Sequence, residues 1–309
     1  MVLILRSRGF GLAVLAALAL VAAACSAPAQ RGDPGVIQAV GAENEYASVI
    51  SQIGGRYVQV SAVMSNPNTD PHSFEASPSI AREVSAAQLV VQNGLGYDSF
   101  MNTIENAAPD RERVVIDVQS LLGLPDSAPN PHLWYAPSTM PAVAKRVARE
   151  LSTLNPAHAA TFQANLASFD SSLGPWLQAI ASFKAAEPGA PVAVTEPVAD
   201  DLLQAAGADV LTPFQFQADV MNGVDPSPQD VALEDALLTG HQVKALLYNQ
   251  QVADSLTQGF LATAKSHGIP VVGVYETMPS GFTYQAWMLA EMQAVQKAVA
   301  RGVSAEELP

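Results

Sequence analysis

Cysteine, aromatic residues and positive charge are all scarce in this 309-residue chain. Cys25 is the only cysteine, so no disulfide can form within the chain. Lysine and arginine total 15 against 29 aspartates and glutamates, which gives a formal net charge of −14. Nucleic-acid phosphates would repel such a chain, whereas its field favours cations. We therefore expect no nucleic-acid partner.

Long apolar runs are also missing, except near the N-terminus. Arg6 and Arg8 precede an apolar stretch at 10–24 that is short for a membrane span and typical of a signal peptide. We predict a signal peptide at 1–24 and a flexible tether at 25–35, which is rich in Ala, Pro, Ser and Gly. Cys25 follows three alanines, as in the lipobox of bacterial lipoproteins, although Ala22 replaces the usual leucine. Lipidation at Cys25 would anchor the protein outside the cytoplasm; secretion without a lipid is the alternative.

Short apolar strand candidates alternate with amphipathic helix candidates along the rest of the chain. The predicted strands are 36–40 (closed by Gly41), 57–64, 89–92, 114–117, 191–195, 209–211, 243–248 and 270–275. Such alternation predicts βαβ units and mostly parallel sheets. Between the two sets of strands, apolar residues recur at three- and four-residue steps over 156–183, which predicts one helix of about 42 Å, bent at Gly174–Pro175.

We therefore predict an α/β fold of two lobes, each a mostly parallel β-sheet flanked by helices, joined by one long rigid helix. The expected boundaries are an N-terminal lobe at 36–140, a helical linker at 141–190 and a C-terminal lobe at 191–309.

Four strong metal-ligand side chains follow predicted strands, where ligands of open α/β sheets collect. His72 and His132 each come directly after a proline, which fixes the backbone before the imidazole. Glu196 and Glu276 stand where two apolar strands of the second half end. Singly, each is more often an ordinary surface residue. Together, two imidazoles and two carboxylates could hold a divalent cation whose charge balances theirs.

Several segments together resemble one family: the zinc- and manganese-binding solute-binding proteins of bacterial ABC importers (cluster A-I, ZnuA/TroA-like). The segments are Asp70-Pro71-His72-Ser73-Phe74-Glu75, Ser77-Pro78-Ser79, Asn93-Gly94-Leu95-Gly96, Pro131-His132-Leu133-Trp134, Thr195-Glu196-Pro197 and Tyr275-Glu276. The similarity covers essentially 36–300. It implies a monomeric, non-catalytic protein that holds Zn²⁺ or Mn²⁺ (Fe²⁺ is possible) between rigidly connected lobes and delivers it to a membrane permease with its ATPase.

The resemblance implies His72, His132, Glu196 and Glu276 as ligands, but this chain departs from the family in three ways. Position 276 is usually aspartate, position 130 commonly so, and the histidine-rich loop of the zinc-specific branch is missing from 121–130. The identity of the metal therefore stays open. We expect Asn44, Trp134, Tyr248 and Asn249 to surround the ligands and to orient or seal them.

Three other functions are alternatives to this prediction. A metal-dependent hydrolase would need a coordinated water and a general base, and the chain has no His-Glu-x-x-His, Ser-x-x-Lys or Gly-x-Ser-x-Gly motif. A siderophore- or corrinoid-binding protein would need an aromatic, arginine-lined cleft, whereas aromatic residues make up only 6% of the chain. Adhesion is the third alternative.

Overall fold

Two parallel four-stranded sheets flanked by helices form the framework of the protein, as the alternation predicts. The computed structural model describes residues 35–68, 74 and 77–308. The predicted signal peptide, the tether before Gly35, Cys25 and His72 lie outside the described residues. Within the described ranges, no helix is long and apolar enough to cross a bilayer.

The first sheet has the strand order β2-β1-β3-β4, and all its pairs are parallel. Its strands are β1 (Ile37–Glu43), β2 (Val58–Met64), β3 (Leu89–Gln92) and β4 (Val114–Asp117). Its helices are α1 (Asn44–Gly54), α2 (Pro78–Ala86), α3 (Ser99–Ala107) and α4 (Val118–Leu122). The chain crosses over β1 between β2 and β3, so the order of the strands reverses between β1 and β3.

The prediction that β1 ends before Gly41 is wrong. The strand continues to Glu43, which pairs with Met64. A Cβ on Gly41 would lie 2.5 Å from the backbone nitrogen of Ala47 in α1. Glycine is therefore needed here because the helix packs closely on the strand, and it does not mark the end of the strand.

Three helices connect the two sheets: α5 (Thr139–Leu154), α6 (Ala159–Ser172) and α7 (Gly174–Ala186). Residues 156–158 form a 3₁₀ turn directly before α6, so the helical stretch runs from 156 to 186. It is interrupted only at Leu173, beside the predicted bend at Gly174–Pro175. The predicted long connecting helix is thus confirmed.

The second sheet repeats the order of the first, as β6-β5-β7-β8. Its strands are β5 (Pro191–Val194), β6 (Asp209–Val210), β7 (Leu246–Asn249) and β8 (Val271–Val274). Its helices are α8 (Asp200–Ala205), α9 (Phe214–Met221), α10 (Pro228–Thr239), α11 (Ser255–Ser266) and α12 (Tyr284–Arg301). The strand order reverses between β5 and β7, and we refer to each sheet with its helices as a lobe.

One hydrophobic cluster extends through both lobes and the connecting helices. It includes Leu89 of the first sheet, Phe162 and Trp176 of the connecting helices, and Val272 and Trp287 of the second lobe. Helix α6 packs on α1 and α5, whereas α7 packs on α12. The connecting helices therefore belong to the core of both lobes. The predicted domain boundaries at 140 and 190 stay predictions.

Candidate metal centre

His132 is completely buried in the loop between α4 and α5. Its backbone amide donates to Oδ1 of Asn130 over 3.1 Å, and its Nδ1 lies 2.8 Å from the same oxygen. An amide oxygen only accepts, so Nδ1 carries a proton in this arrangement. The other ring nitrogen, Nε2, lies 3.1 Å from Oε2 of Glu276. The loop therefore directs one defined imidazole nitrogen across the boundary between the lobes.

Glu276 follows β8 by two residues and is also completely buried. Besides the contact with His132, its carboxylate accepts hydrogen bonds from the hydroxyl of Tyr97 (3.1 Å) and from Nδ2 of Asn249 (2.8 Å). Oε1 of Gln251 accepts from the backbone amides of Glu276 and Thr277, at 2.7 and 2.8 Å. Both the backbone and the carboxylate of Glu276 are thus fixed by neighbouring groups.

Glu196 lies two residues past the end of β5 and is 2% exposed. Its Oε1 accepts a hydrogen bond of 3.1 Å from Nδ2 of Asn249, which ends the neighbouring strand β7. The backbone amide of Asn249 donates to Oγ1 of Thr195 over 3.0 Å. One amide group at the strand-order reversal of the second sheet therefore holds the carboxylates of Glu196 and Glu276 beside each other.

The structure brings three of the four predicted ligands into one buried, hydrogen-bonded group: His132, Glu196 and Glu276. The fourth, His72, lies outside the described residues. In the part of the chain that is described, no three His, Cys, Asp or Glu side chains approach closely enough to hold one ion. Because Nε2 of His132 and Oε2 of Glu276 contact each other directly, an ion would enter by separating this pair.

The four side chains predicted to surround the ligands have different surroundings. Asn249 bonds to both carboxylates, and the buried ring of Trp134 lies edge-on to that of His132, with the centroids 5.5 Å apart. Asn44 instead exchanges two hydrogen bonds with the backbone of Met278. Tyr248 packs in a separate hydrophobic cluster of the second lobe, with Phe216 and Phe260.

Sequence reasoning missed Tyr97 and the role of Asn130 as the partner of His132. Tyr97 follows the turn Asn93-Gly94-Leu95-Gly96, in which the carboxylate of Asp98 accepts from the amides of Asn93 and Gly94 at 2.6 and 3.0 Å. Nδ2 of Asn93 donates to the carbonyl of Pro131 over 2.8 Å, which ties this turn to the His132 loop. The only available signal was the position of Tyr97 directly after a motif of the family.

Further acidic groups are buried close to the site. Burial raises the pKa of Asp98 to about 6, and it raises the pKa values of Glu43 and Glu45 well above their usual range. Burial also raises the pKa of the Tyr97 phenol, and the charge of Glu276 raises it further. Tyr97 therefore keeps its proton at neutral pH and remains a hydrogen-bond donor to Glu276.

Comparison with known proteins shows which family the sequence matches. The model of the family described as zinc-uptake complex component A, periplasmic (ZnuA), matches residues 40–298. Among curated proteins, the chain is similar to the metal ABC transporter substrate-binding lipoprotein FimA of Streptococcus parasanguinis. They are 24% identical over 178 residues, which is 52% of this chain and 56% of that one. The matched parts span 33% to 56% of the length of the first curated relatives.

The fold is shared by solved structures of other proteins. The periplasmic zinc-binding protein TroA of Treponema pallidum is 16% identical with a TM-score of 0.72, over 87% of this chain and 100% of that one. The solute-binding protein FpvC of Pseudomonas aeruginosa, solved with Mn²⁺, is 20% identical with a TM-score of 0.69, over 86% and 99% of the two chains. At these identities the likeness confirms the predicted two-lobe α/β fold.

Proposed function

Because the chain belongs to the family of the periplasmic zinc-uptake component, we propose that it captures a divalent transition-metal ion between its lobes and delivers it to an ABC importer. The observation that carries this proposal is the buried group formed by His132, Glu196 and Glu276. Imidazole and carboxylate are common ligands of Zn²⁺, Mn²⁺ and Fe²⁺. The group lies where the carboxyl ends of the strands of both sheets meet, which is the usual ligand position of such sheets.

The proposed ligands are His72, His132, Glu196 and Glu276. The hydrogen bond from Nδ1 of His132 to Asn130 is the kind of contact that orients a metal-binding imidazole and selects Nε2 as the ligand atom. Glu196 and Glu276 would contribute two negative charges, which offset the two positive charges of the ion inside a site of low dielectric constant. Asn249 and Tyr97 hold these carboxylates by donating hydrogen bonds to them.

The donor set admits either of the two metals named for relatives. TroA is described as zinc-binding, whereas FpvC was solved with Mn²⁺. Two carboxylates beside two imidazoles suit the harder ions Mn²⁺ and Fe²⁺, yet Zn²⁺ binds most such sets more tightly by the Irving–Williams order. We propose Zn²⁺ or Mn²⁺ as the transported ion. The family is described by a role in uptake, and we propose no catalytic step.

A metal titration of the purified mature protein tests this function. Wild-type protein should bind about one equivalent of Zn²⁺ or Mn²⁺ per chain, with an affinity in the micromolar range or tighter, as measured by calorimetry and elemental analysis. His72→Ala and His132→Ala should each weaken binding by about 100-fold or more, because each removes a ligand. His267→Ala is the matched control, since His267 is exposed and its Nδ1 lies 3.0 Å from a carbonyl of its own helix.

A wild-type protein that binds neither metal at micromolar concentration would contradict the proposal. Equal binding by the wild type and both ligand variants would contradict the ligand set.

We further propose that the protein is anchored to the outer side of the cell membrane by a lipid on Cys25 and acts as a monomer there. FimA is described as a lipoprotein of a metal ABC transporter. Expression of the full chain in a bacterium should place the wild type in the membrane fraction, whereas Cys25→Ser should be released from it. Mass spectrometry of the mature N-terminus checks the lipid directly, and an unmodified Cys25 would overturn the anchor.

A further inference from the structure

Two glutamates at the junction of β1 and α1 are buried, and their carboxyl oxygens accept no hydrogen bond of standard geometry from a described residue. Glu43 is 2% exposed and Glu45 is 0% exposed. The backbone amide of Met278 lies beside the carboxyl group of Glu45, and the carboxyl group of Asp98 lies beside that of Glu43. A buried polar group without a partner destabilises the folded protein, and more so when the group is charged. A bound cation would compensate for the burial of at least one of these two neighbouring groups.

The junction lies where a ligand of the first sheet would be expected. β1 ends at Glu43 beside β3, and the strand order reverses between these two strands. In the second sheet, the reversal lies between β5 and β7, and Glu196 follows β5 there. The first lobe thus places carboxyl groups at the position where the second lobe places a proposed ligand.

Glu45 is the glutamate that faces the metal centre. Its neighbour Asn44 accepts from the amide of Met278 over 3.0 Å and donates to the carbonyl of Met278 over 2.8 Å, so the start of α1 lies against the segment that follows Glu276. Burial raises the pKa of Glu45, and the charges of Glu276 and Asp98 raise it further. For Glu43, by contrast, the neighbouring carboxyl groups are those of Asp98 and Glu45.

We propose that Glu45 is an additional oxygen ligand of the transported ion, contributed by the N-terminal lobe, and that it favours Mn²⁺ over Zn²⁺. This inference rests on the proposed function. In the described part no three acidic or histidine side chains hold one ion together, so a shared ion would require Glu45 and Glu276 to turn towards it. The helix dipole favours a carboxylate in the first turn of α1, where Glu45 lies.

The chemistry of the donor set gives the direction of the preference. With Glu45, the described residues offer one imidazole and three carboxylates, and His72 would bring the number of donors to at least five. Mn²⁺ is hard and takes five or six ligands that are rich in oxygen, whereas Zn²⁺ is usually satisfied by four in a tetrahedron. The fifth donor therefore contributes more to the binding of Mn²⁺ than to that of Zn²⁺.

Titrations of the mature protein with Mn²⁺ and with Zn²⁺, for the wild type and Glu45→Gln, test the preference. Glu45→Gln keeps the shape of the side chain, and we expect it to weaken Mn²⁺ binding about tenfold more than Zn²⁺ binding. Glu234→Gln is the matched control: Glu234 lies in α10 of the other lobe, is 0% exposed, and its two oxygens likewise have no partner among the described residues. The control should leave the ratio of the two affinities unchanged.

X-ray absorption of the Mn²⁺-loaded protein separates a ligand from a merely structural residue. We expect at least five donors in the wild type and one oxygen fewer in Glu45→Gln. Four donors in the wild type, or equal losses for both metals in Glu45→Gln, would overturn the proposal, as would the same change of ratio in Glu234→Gln. If Glu45→Gln does not fold, the wild-type coordination number decides. A wild type that binds neither metal refutes the proposed function, whereas one that binds four-coordinate metal refutes only the role of Glu45.

Discussion

The side-chain amide of Asn249 bridges two proposed ligands, because it donates hydrogen bonds to the carboxylates of both Glu196 and Glu276. Its own Oδ1 accepts from the backbone amide of Gln251 over 3.0 Å, which fixes the direction of the amide group. Two carboxylates without this shared donor would repel each other and turn apart. The spacing of two proposed ligands therefore depends on a residue that need not touch the metal.

Asn249→Ala is expected to weaken metal binding about 10- to 100-fold while leaving the fold intact, which is the usual effect of losing a residue that orients metal ligands. Calorimetric titration with Mn²⁺ and Zn²⁺ measures the loss. Asn222→Ala serves as the control, because the exposed Asn222 side chain bonds only to the carbonyl of Ala218. Equal affinities for the wild type and Asn249→Ala would show that the carboxylates keep their places without the amide.

Glu291 shows a different consequence of burying a carboxyl group. It is completely buried in α12, where its carboxyl group accepts a hydrogen bond of 2.6 Å from Nε1 of Trp287 and lies 2.7 Å from the hydroxyl of Tyr135. Burial raises its pKa from 4.5 to about 8. Between these two pH values the unfolded chain has released the proton that the folded protein still holds. The contribution of Glu291 to stability is therefore fully present below about pH 4.5 and is lost as the pH rises towards 8.

Glu291→Gln should remove the contribution of Glu291 to the pH dependence of stability. We expect the free energy of unfolding of the wild type to fall, relative to the variant, by the order of a few kcal/mol between about pH 5 and about pH 8. Urea denaturation at several pH values measures both curves. The other buried acids contribute equally to the stability of the wild type and the variant. Curves of stability against pH that stay parallel would therefore mean that Glu291 titrates normally.

At the scale of elements, the close contact between β1 and α1 determines where Glu43, Asn44 and Glu45 lie. Gly41 allows this contact, because a side chain there would collide with the backbone of Ala47. Gly41→Ala should therefore destabilise the protein by about 1–3 kcal/mol, as overpacking usually does. It should also weaken metal binding, because the start of α1 would shift away from Met278.

Gly259→Ala is the control for this substitution. Gly259 lies within α11, and a Cβ added there meets nothing within 4 Å. Alanine at such a position should stabilise the protein by about 0.5–1 kcal/mol. Thermal and urea unfolding should show that Gly41→Ala lowers the stability of the protein and that Gly259→Ala raises it. A Gly41→Ala variant as stable as the wild type would mean that α1 can move away at little cost.

The elements differ in how well the sequence predicts them, and the reason is physical. Strands such as 89–92 and 114–117 are short apolar runs between turns, so their local pattern suffices to find them. The end of β1 depends on how α1 packs, and a glycine that permits packing has the same local pattern as one that ends a strand. The prediction failed there for that reason.

The residues of the candidate site also differ in how well the sequence predicts them. His132, Glu196 and Glu276 follow strands or strand-like segments, and the rule that such ends converge places them together from the sequence alone. Tyr97 and the donor role of Asn249 depend on which side chains face each other once the lobes have packed. No local pattern contains that information, because the partners are 179 residues apart for Tyr97 and Glu276.

At the scale of the whole molecule, the two lobes are joined by more than the connecting helices. The hydroxyl of Tyr284 in α12 donates to the carbonyl of Trp134 in the first lobe over 2.7 Å. The hydroxyl of Tyr135 donates to the carbonyl of Tyr275 over 2.8 Å, and Asn44 is bonded to Met278. Together with the hydrophobic cluster that extends through both lobes, these contacts favour a rigid pair of lobes over a wide hinge motion.

A shared core predicts that both lobes unfold together. Calorimetry of the metal-free mature protein should show a single transition, with equal calorimetric and van't Hoff enthalpies. Metal that binds only the folded state should raise the midpoint of the same transition, by about 2.7 kcal/mol of stability at a free concentration of 100 times the dissociation constant. His132→Ala should keep the single transition but lose the shift. Two transitions, of which only one responds to metal, would instead mean that the lobes are independent and that the ion is held by one of them.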